Sequence, residues 1–146
     1  MEQNILEQVP DYKLHKRGTI TICTFLSGPL VAGYLIAENF YQLKERRKAI
    51  KTWIFTIVGI LILFCCFIFI RALDNVPNFV FAIAYTVLAS WFVQRYQDAK
   101  IDLHKERGGQ FFSVWRAVLA SVISLAATIA LLLLLLFIVS PETVQV

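Results

Sequence analysis

The feature that most constrains this chain is the length of its uncharged apolar runs. Of its 146 residues, 58% are hydrophobic and only 16% are charged, and several stretches of 18 or more residues contain no Asp, Glu, Lys or Arg. A soluble amphipathic helix would carry charged residues along its outer face. A helix of about 20 apolar residues is instead long enough to cross the roughly 30 Å of hydrocarbon in a bilayer. The composition therefore predicts an integral membrane protein.

Four apolar segments predict an all-α fold, an integral membrane bundle of four hydrophobic helices with short connections. The segments cover residues 19–37, 53–70, 76–93 and 117–139. Residues 1–18 form a polar N-terminal tail, and residues 19–146 form a single four-helix transmembrane domain.

The first segment is broken in its middle by Gly28-Pro29. A proline inside a helix removes one backbone hydrogen bond and clashes with the preceding turn. In a membrane this is tolerated where neighbouring protein or water satisfies the freed carbonyl groups. We therefore expect a kinked spanning helix that is packed inside the bundle, and the alternative is a re-entrant hairpin that does not cross.

Lysine and arginine are concentrated in the first and third connections, residues 39–51 and 94–116, whereas the second connection carries only Arg71. Cytoplasmic loops are enriched in these residues. The two basic connections are therefore predicted to be cytoplasmic, with the C-terminus outside. A spanning first segment would place the N-terminus outside together with its basic residues, whereas a hairpin would leave it inside.

Tryptophan supports this orientation, because Trp53, Trp91 and Trp115 lie at segment ends that face the two basic connections. Tryptophan is enriched at membrane–water interfaces.

Small residues recur at intervals of four on three of the segments and let membrane helices approach closely. They are Thr24, Gly28 and Ala32 in the first segment, Ala82, Thr86 and Ser90 in the third, and Ala120, Ser124 and Thr128 in the fourth. We expect these three segments to form the close-packed core and the bulkier second segment to face lipid. The same faces could hold a homodimer.

The sequence offers little catalytic chemistry. No charged side chain lies deep in an apolar segment, which argues against a proton-driven exporter. Asp98, Asp102 and Glu106, with His104, could in principle hold a metal, but interleaved basic residues favour a salt-bridged, solvated helix. We therefore expect no enzyme activity, no cofactor, no metal and no nucleic-acid partner.

Two short motifs resemble a family. The first comprises Gly28-Pro29-Leu30, Gly33, Leu35 and Asn39 with an aromatic, basic stretch after them, and the second comprises His104, Gly108-Gly109, Ser113 and Trp115. This pattern resembles a group of small, uncharacterised bacterial integral membrane proteins with four helices. The chain departs from it at Val31, Ala32 and Lys44. The resemblance implies the cytoplasmic (inner) membrane of a bacterium and supplies no activity or substrate.

The candidate functional residues are those of the two motifs: Gly28, Pro29, Gly33, Asn39, His104, Gly108 and Gly109. We expect a multi-pass membrane protein that acts as an interaction or scaffold subunit. The alternative is a small oligomeric transporter or channel that uses the broken first segment. The expected partners are the lipid bilayer, including anionic headgroups at the basic connections, and a second copy or another membrane protein.

Overall fold

The structure is a computed structural model that describes residues 9–70 and 75–139, and it is helical apart from one isolated β-bridge between Leu14 and Phe111. The described residues form six helices. They are α1 Arg17–Ser27, α2 Pro29–Gln42, α3 Arg46–Phe69, α4 Asn78–Tyr96, α5 Asp98–Glu106 and α6 Val114–Val139.

Three helices, α3, α4 and α6, are long and apolar enough to cross a membrane. They correspond to the second, third and fourth predicted segments. The all-α class is therefore confirmed for the described residues, and these three segments form helices of spanning length and composition. The expectation of four hydrophobic helices is not confirmed, because the first segment forms two shorter helices of 11 and 14 residues.

The two short helices are separated by a single residue, Gly28, whose φ of 90° and ψ of −174° lie in a region that essentially only glycine occupies. Pro29 is the first residue of α2. At that position its missing N–H is not needed and its fixed φ suits the helix. The proline therefore starts a new helix and does not kink a continuous one.

The chain reverses direction at Gly28, so α1 and α2 form an antiparallel pair that we call the hairpin. The backbone N–H of His15, just before α1, donates a hydrogen bond of 2.7 Å to Asn39, near the end of α2. Residues that precede the first helix thus lie beside residues that end the second. Gly28 is the apex of the hairpin.

The hairpin is the centre of the fold. Helix α1 packs against α4 and α6, and α2 packs against α3, α4 and α6. The Thr21 and Ser90 hydroxyls are 3.1 Å apart between α1 and α4. Most of the fully buried large side chains belong to the hairpin or to the residues just before it. Helix α2 is buried along most of its length, whereas α1 buries one face and exposes Ile22, Phe25 and Leu26 on the other.

The expectation that the second segment faces lipid more than the others is wrong, because α3 is the most buried of the three long helices. In the most apolar stretch of each long helix, 17% of residues are buried in α3, 11% in α4 and 6% in α6. The backbone of Gly33 in α2 lies against the Thr56 side chain, so that a Cβ at Gly33 would overlap it. The glycine lets α3 approach although α3 itself is bulky.

All thirteen Lys and Arg side chains among the described residues lie at one end of the bundle, which we call the basic end. Here α2, α4 and α5 end and α3 and α6 begin, and the N-terminal stretch 9–16 lies here as well. Trp53, Trp91 and Trp115 are all within about two turns of it. Arg71 and the C-terminal residues 140–146 lie outside the described residues.

The residues expected to pack between helices all face the interior at least in part. Thr24, Ala32, Thr86 and Ser124 are buried, and Ala82, Ser90, Ala120 and Thr128 are half-buried.

Candidate functional site

A buried network of polar side chains crosses the base of the hairpin. Its centre is Asn39, which is fully buried in α2. The Asn39 Oδ1 atom accepts the His15 N–H, and Nδ2 donates to the His15 carbonyl oxygen at 3.1 Å. An amide has one donor face and one acceptor face, so it can pair with both backbone groups of one residue. This pairing holds the two ends of the hairpin together.

Gln97 extends the network to α4. Its side chain is 1% exposed, and Asn39 Nδ2 donates to its Oε1 at 3.2 Å. Its Nε2 in turn donates to the backbone carbonyl of Ile36 at 2.9 Å. Gln97 is the single residue between α4 and α5. It therefore fixes the α4–α5 junction against α2 while satisfying polar groups that are costly to bury unpaired.

Glu38 carries the charge of the network. One carboxylate oxygen lies 2.8 Å from His15 Nε2, and the other pairs with Arg116 of α6. Burial works to raise the pKa of Glu38, but His15, Arg116 and the Tyr34 hydroxyl together outweigh it and lower that pKa from its ordinary value. The Arg116 guanidinium also lies 4.3 Å from the centre of the Phe112 ring. Glu38 thus joins α2 to α6 in its charged form.

His104 forms a second buried centre, between α5 and the connection to α6. Its Nε2 is 2.8 Å from the carbonyl oxygen of Gln110, and its ring stacks on Tyr12 with centroids 4.9 Å apart. The backbone of Gly109 lies against this ring, where a Cβ would overlap it. Gly108 has a φ of 71°, which favours glycine. These contacts explain why two glycines follow the histidine at this spacing.

The N-terminal stretch connects the two centres. Leu14 donates its N–H to Gln110 at 3.4 Å, and Phe112 donates its N–H to the Leu14 carbonyl at 2.9 Å. The ring of His15 packs on Phe112 with centroids 4.6 Å apart. Residues 12–15 are thereby held between the hairpin and the α5–α6 connection.

The structure places the predicted motif residues in three regions. Asn39, His104, Gly108 and Gly109 lie in or beside the buried network. Gly28 and Pro29 form the apex at the opposite end of the hairpin, and Gly33 lies between the two regions against α3.

Sequence reasoning missed His15, Glu38, Gln97 and Arg116 as members of the network. The only sequence signal was the polar pair Glu38-Asn39 at the end of an apolar run. Asp98, from the acidic group, forms an ion pair of 2.6 Å with Arg17. No cluster of three potential metal ligands occurs in the part of the chain that the structure describes.

A separate feature is an apolar groove of about 230 Å³ between α2, α3 and α4. Ala32, Gly33 and Ile36 of α2 lie at its floor, and its walls come from α3 and α4. Phe55 and Leu88 line the groove on the two walls and are 72% and 65% exposed. The groove therefore opens sideways, toward the surface of the bundle that membrane lipid would cover.

A charged cluster lies at the basic end, just before Thr52, the first residue of α3 that lines the groove. Glu45, at the start of α3, pairs with Lys100 of α5 and, at 3.0 Å, with Lys48. Burial works to raise the pKa of Glu45, but the two lysines outweigh it and lower that pKa. Lys48 is also 5.9 Å from the centre of the Phe40 ring.

Comparison with protein-family models, with curated proteins and with solved structures gave no match to this chain. The amide, carboxylate and guanidinium groups of the network bond mainly to one another and to the backbone. Such an arrangement stabilises the base of the hairpin. Contacts with other molecules would then use the outer surfaces of the bundle.

Proposed function

We propose that the protein is a membrane-embedded interaction subunit with three spanning helices and a re-entrant hairpin. In this arrangement α3, α4 and α6 cross the bilayer, and the hairpin enters from the basic side and returns to it. Helix α1 has 11 residues, which at 1.5 Å per residue reach about 16 Å, roughly half of the hydrocarbon thickness. The apex Gly28 would then lie near the middle of the membrane.

The orientation follows from the charge distribution. All Lys and Arg side chains of the described residues lie at the basic end, and cytoplasmic loops are enriched in these residues. The connections 39–51 and 94–116 would therefore be cytoplasmic, together with the N-terminal stretch 9–16, and α6 would end on the outside. The resemblance to small bacterial proteins favours the inner membrane of a bacterium.

The observation that supports an interaction role is the contrast between the braced hairpin and the exposed helix α6. Helix α6 has 26 residues, yet its buried residues are only Ala117, Ser121 and Ser124, all in its first half. The network anchors this half through Arg116 and Glu38. The second half is apolar and has no buried residue. It can therefore pack against another membrane helix, from a second copy or from a different protein.

Purification in mild detergent tests this role, because it should recover a stoichiometric membrane partner or a homo-oligomer. Ala130→Phe places a bulky ring on the exposed side of the second half of α6 and should disrupt the complex. Ala84→Phe makes the same change at an exposed position of α4 and serves as the control. A monomer without a partner, or equal effects of both variants, would contradict the proposal.

A transporter or channel built as an oligomer is the second candidate, and one observation favours it. Two buried hydroxyls, Thr86 Oγ1 of α4 and Ser121 Oγ of α6, lack a hydrogen-bond partner among the described residues. They belong to α4 and α6, which both pack against α1. Discontinuous helices and uncompensated polar groups at membrane depth commonly accompany a transport site.

This second candidate predicts that Gly28→Leu abolishes solute flux into liposomes while the protein still reconstitutes. Gly18→Leu, at an exposed position near the start of α1, should leave flux unchanged. If liposomes that contain the wild-type protein pass no ions or small solutes, a transport role under those conditions is excluded. The interaction role would not be affected by that result.

A further inference from the structure

We propose that the groove between α2, α3 and α4 is a binding site for one anionic phospholipid from the leaflet at the basic end. The acyl chain would lie in the groove, and the phosphate would lie between Lys48 and Arg95. This inference goes beyond the interaction role and does not depend on a protein partner.

The dimensions of the groove fit an acyl chain from one leaflet. Its lining on α3 runs from Thr52 to Leu63, twelve residues whose ends are about 16 Å apart along the helix. One leaflet contributes about half of the roughly 30 Å hydrocarbon thickness. A partner helix that crossed the whole membrane would be about twice as long as the groove. The groove therefore matches a lipid chain better than a spanning helix.

The volume of the groove is also appropriate for a chain that lies partly inside it. Apolar cavities of about 150 Å³ take a benzene-sized ligand. A groove of about 230 Å³ with an open side can hold part of an acyl chain while the rest contacts bulk lipid. The floor at Ala32 carries only a methyl group, and Thr56 of α3 occupies the space beside Gly33.

Two cations at the basic end of the groove favour an anionic headgroup. Lys48 lies seven residues before the groove residue Phe55 on α3, and Arg95 lies seven residues after the groove residue Leu88 on α4. Residues seven apart share one face of a helix, so each cation continues one rim of the groove toward the basic end. The two helices run in opposite directions and bring both cations to the same end.

Neighbouring charges leave this end positive. Two acidic groups near these cations are already paired, Glu45 with both Lys48 and Lys100, and Asp98 with Arg17. Glu45 and its two lysines together carry one positive charge when ionised, and Arg95 is exposed and adds another. Phe92 lines the groove and packs against the tilted ring of Tyr96, with centroids 4.7 Å apart, which extends the apolar wall of the groove to the level of Arg95. An apolar groove with cations at its basic end is complementary to an anionic phospholipid.

The test uses the full chain, purified in detergent and titrated with phosphatidylglycerol or phosphatidylcholine, with bound lipid counted by native mass spectrometry. Wild type is expected to retain one phosphatidylglycerol in preference to phosphatidylcholine. Glycerol phosphate, which has the headgroup charge without a chain, should not displace it. Equal retention of the two lipids, or displacement by glycerol phosphate, would overturn the proposal.

Two pairs of variants locate the lipid. A Cβ at Gly59, which lines the groove, would meet no other atom within 4 Å, and the same holds for Gly18 outside it. Gly59→Leu should therefore fill the groove and lower lipid retention at least severalfold, whereas Gly18→Leu should not. Lys48→Gln with Arg95→Gln should weaken phosphatidylglycerol binding about tenfold or more, because each cation near a membrane surface contributes appreciably to attraction of anionic lipid.

The double variant Lys105→Gln, Arg107→Gln removes two exposed cations from the basic end. It is the control for the loss of charge alone. Equal losses in both double variants would reduce the effect to general electrostatics and contradict a specific site. If the groove instead holds a second copy, Gly59→Leu would change the oligomer mass and leave the lipid adducts unchanged. That outcome would also overturn the proposal.

Discussion

The side-chain amide of Asn39 is paired with both backbone groups of His15, although the two residues are 24 positions apart in the chain. This pairing joins the start of α1 to the end of α2 and closes the hairpin at its base. It also connects to Gln97 and, through its neighbour Glu38, to Arg116. Four separate stretches of the chain thus meet around one buried residue.

Asn39→Ala should be strongly destabilising. The substitution leaves the His15 N–H and carbonyl and the Gln97 side chain without their partner in a buried position. An unsatisfied buried polar group costs about 1–3 kcal/mol, so we expect a loss of about 3 kcal/mol in the free energy of unfolding. Unfolding in detergent, followed by circular dichroism, measures it. Gln94→Ala, which removes an exposed amide from α4, should have little effect.

The apex should tolerate loss of its proline better than loss of its glycine. Gly28→Ala forces a Cβ into a backbone conformation that costs roughly 1–3 kcal/mol for other residues. Pro29→Ala removes a favourable first residue of α2 without breaking a hydrogen bond, and its cost should be below about 1 kcal/mol. Thermal unfolding of the two variants gives the comparison. A stabilising effect of Pro29→Ala together with tolerance of Gly28→Ala would indicate a continuous, kinked helix instead, because alanine would restore the missing backbone hydrogen bond.

Gly109→Ala should disturb the second buried centre. The new Cβ would overlap the ring of His104, which is itself held by Tyr12 and by the Gln110 carbonyl. Overpacking of this kind typically costs about 1–3 kcal/mol. The melting temperature in detergent reports the change. Gly18→Ala, where a Cβ meets open space, should leave it unchanged or slightly higher.

Acidification should weaken the bundle through Glu38. Its folded-state pKa is lowered, so its contribution to stability is present above the ordinary value of 4.5 and is lost as the pH falls below that value. Glu45 shifts in the same direction and adds to the effect.

Melting temperatures between pH 7 and pH 3.5 should therefore fall for wild type. The fall should be smaller for Glu38→Gln and smallest when Glu45→Gln is added. Glu106→Gln, an exposed carboxylate on α5, is the control and should follow wild type. A double variant with the full wild-type pH dependence would contradict this account of the two carboxylates.

The sequence was sufficient to predict the three long helices, because uncharged runs of that length have few alternatives. It also identified the break at Gly28 and drew attention to Asn39 and His104. It could not distinguish a kink from a reversal, because Gly-Pro in an apolar segment permits both. The hairpin depends on the contact between His15 and Asn39, and a contact between distant residues leaves no periodic signal in either stretch.

The burial of α3 was unpredictable for a related reason. Close packing is predicted from small residues on a helix itself, and α3 has few of them. Its close approach depends on Gly33 of α2, since the glycine on one helix makes room for Thr56 on the other. The network also depends on contacts between distant residues. Its members His15, Glu38, Gln97 and Arg116 come from four different stretches of the chain, and no local pattern marks any of them.

The side of the membrane on which the N-terminal stretch lies tests the re-entrant hairpin most directly. In a variant without Cys23, Cys65 and Cys66, single cysteines at Lys13, Lys105 and Asn75 can be labelled with an impermeant maleimide in intact cells and in inverted vesicles. All three positions are exposed. We predict that Lys13→Cys is labelled from the same side as Lys105→Cys and from the side opposite to Asn75→Cys. Labelling of Lys13→Cys from the side of Asn75→Cys would show that the first segment crosses the membrane and would contradict the account.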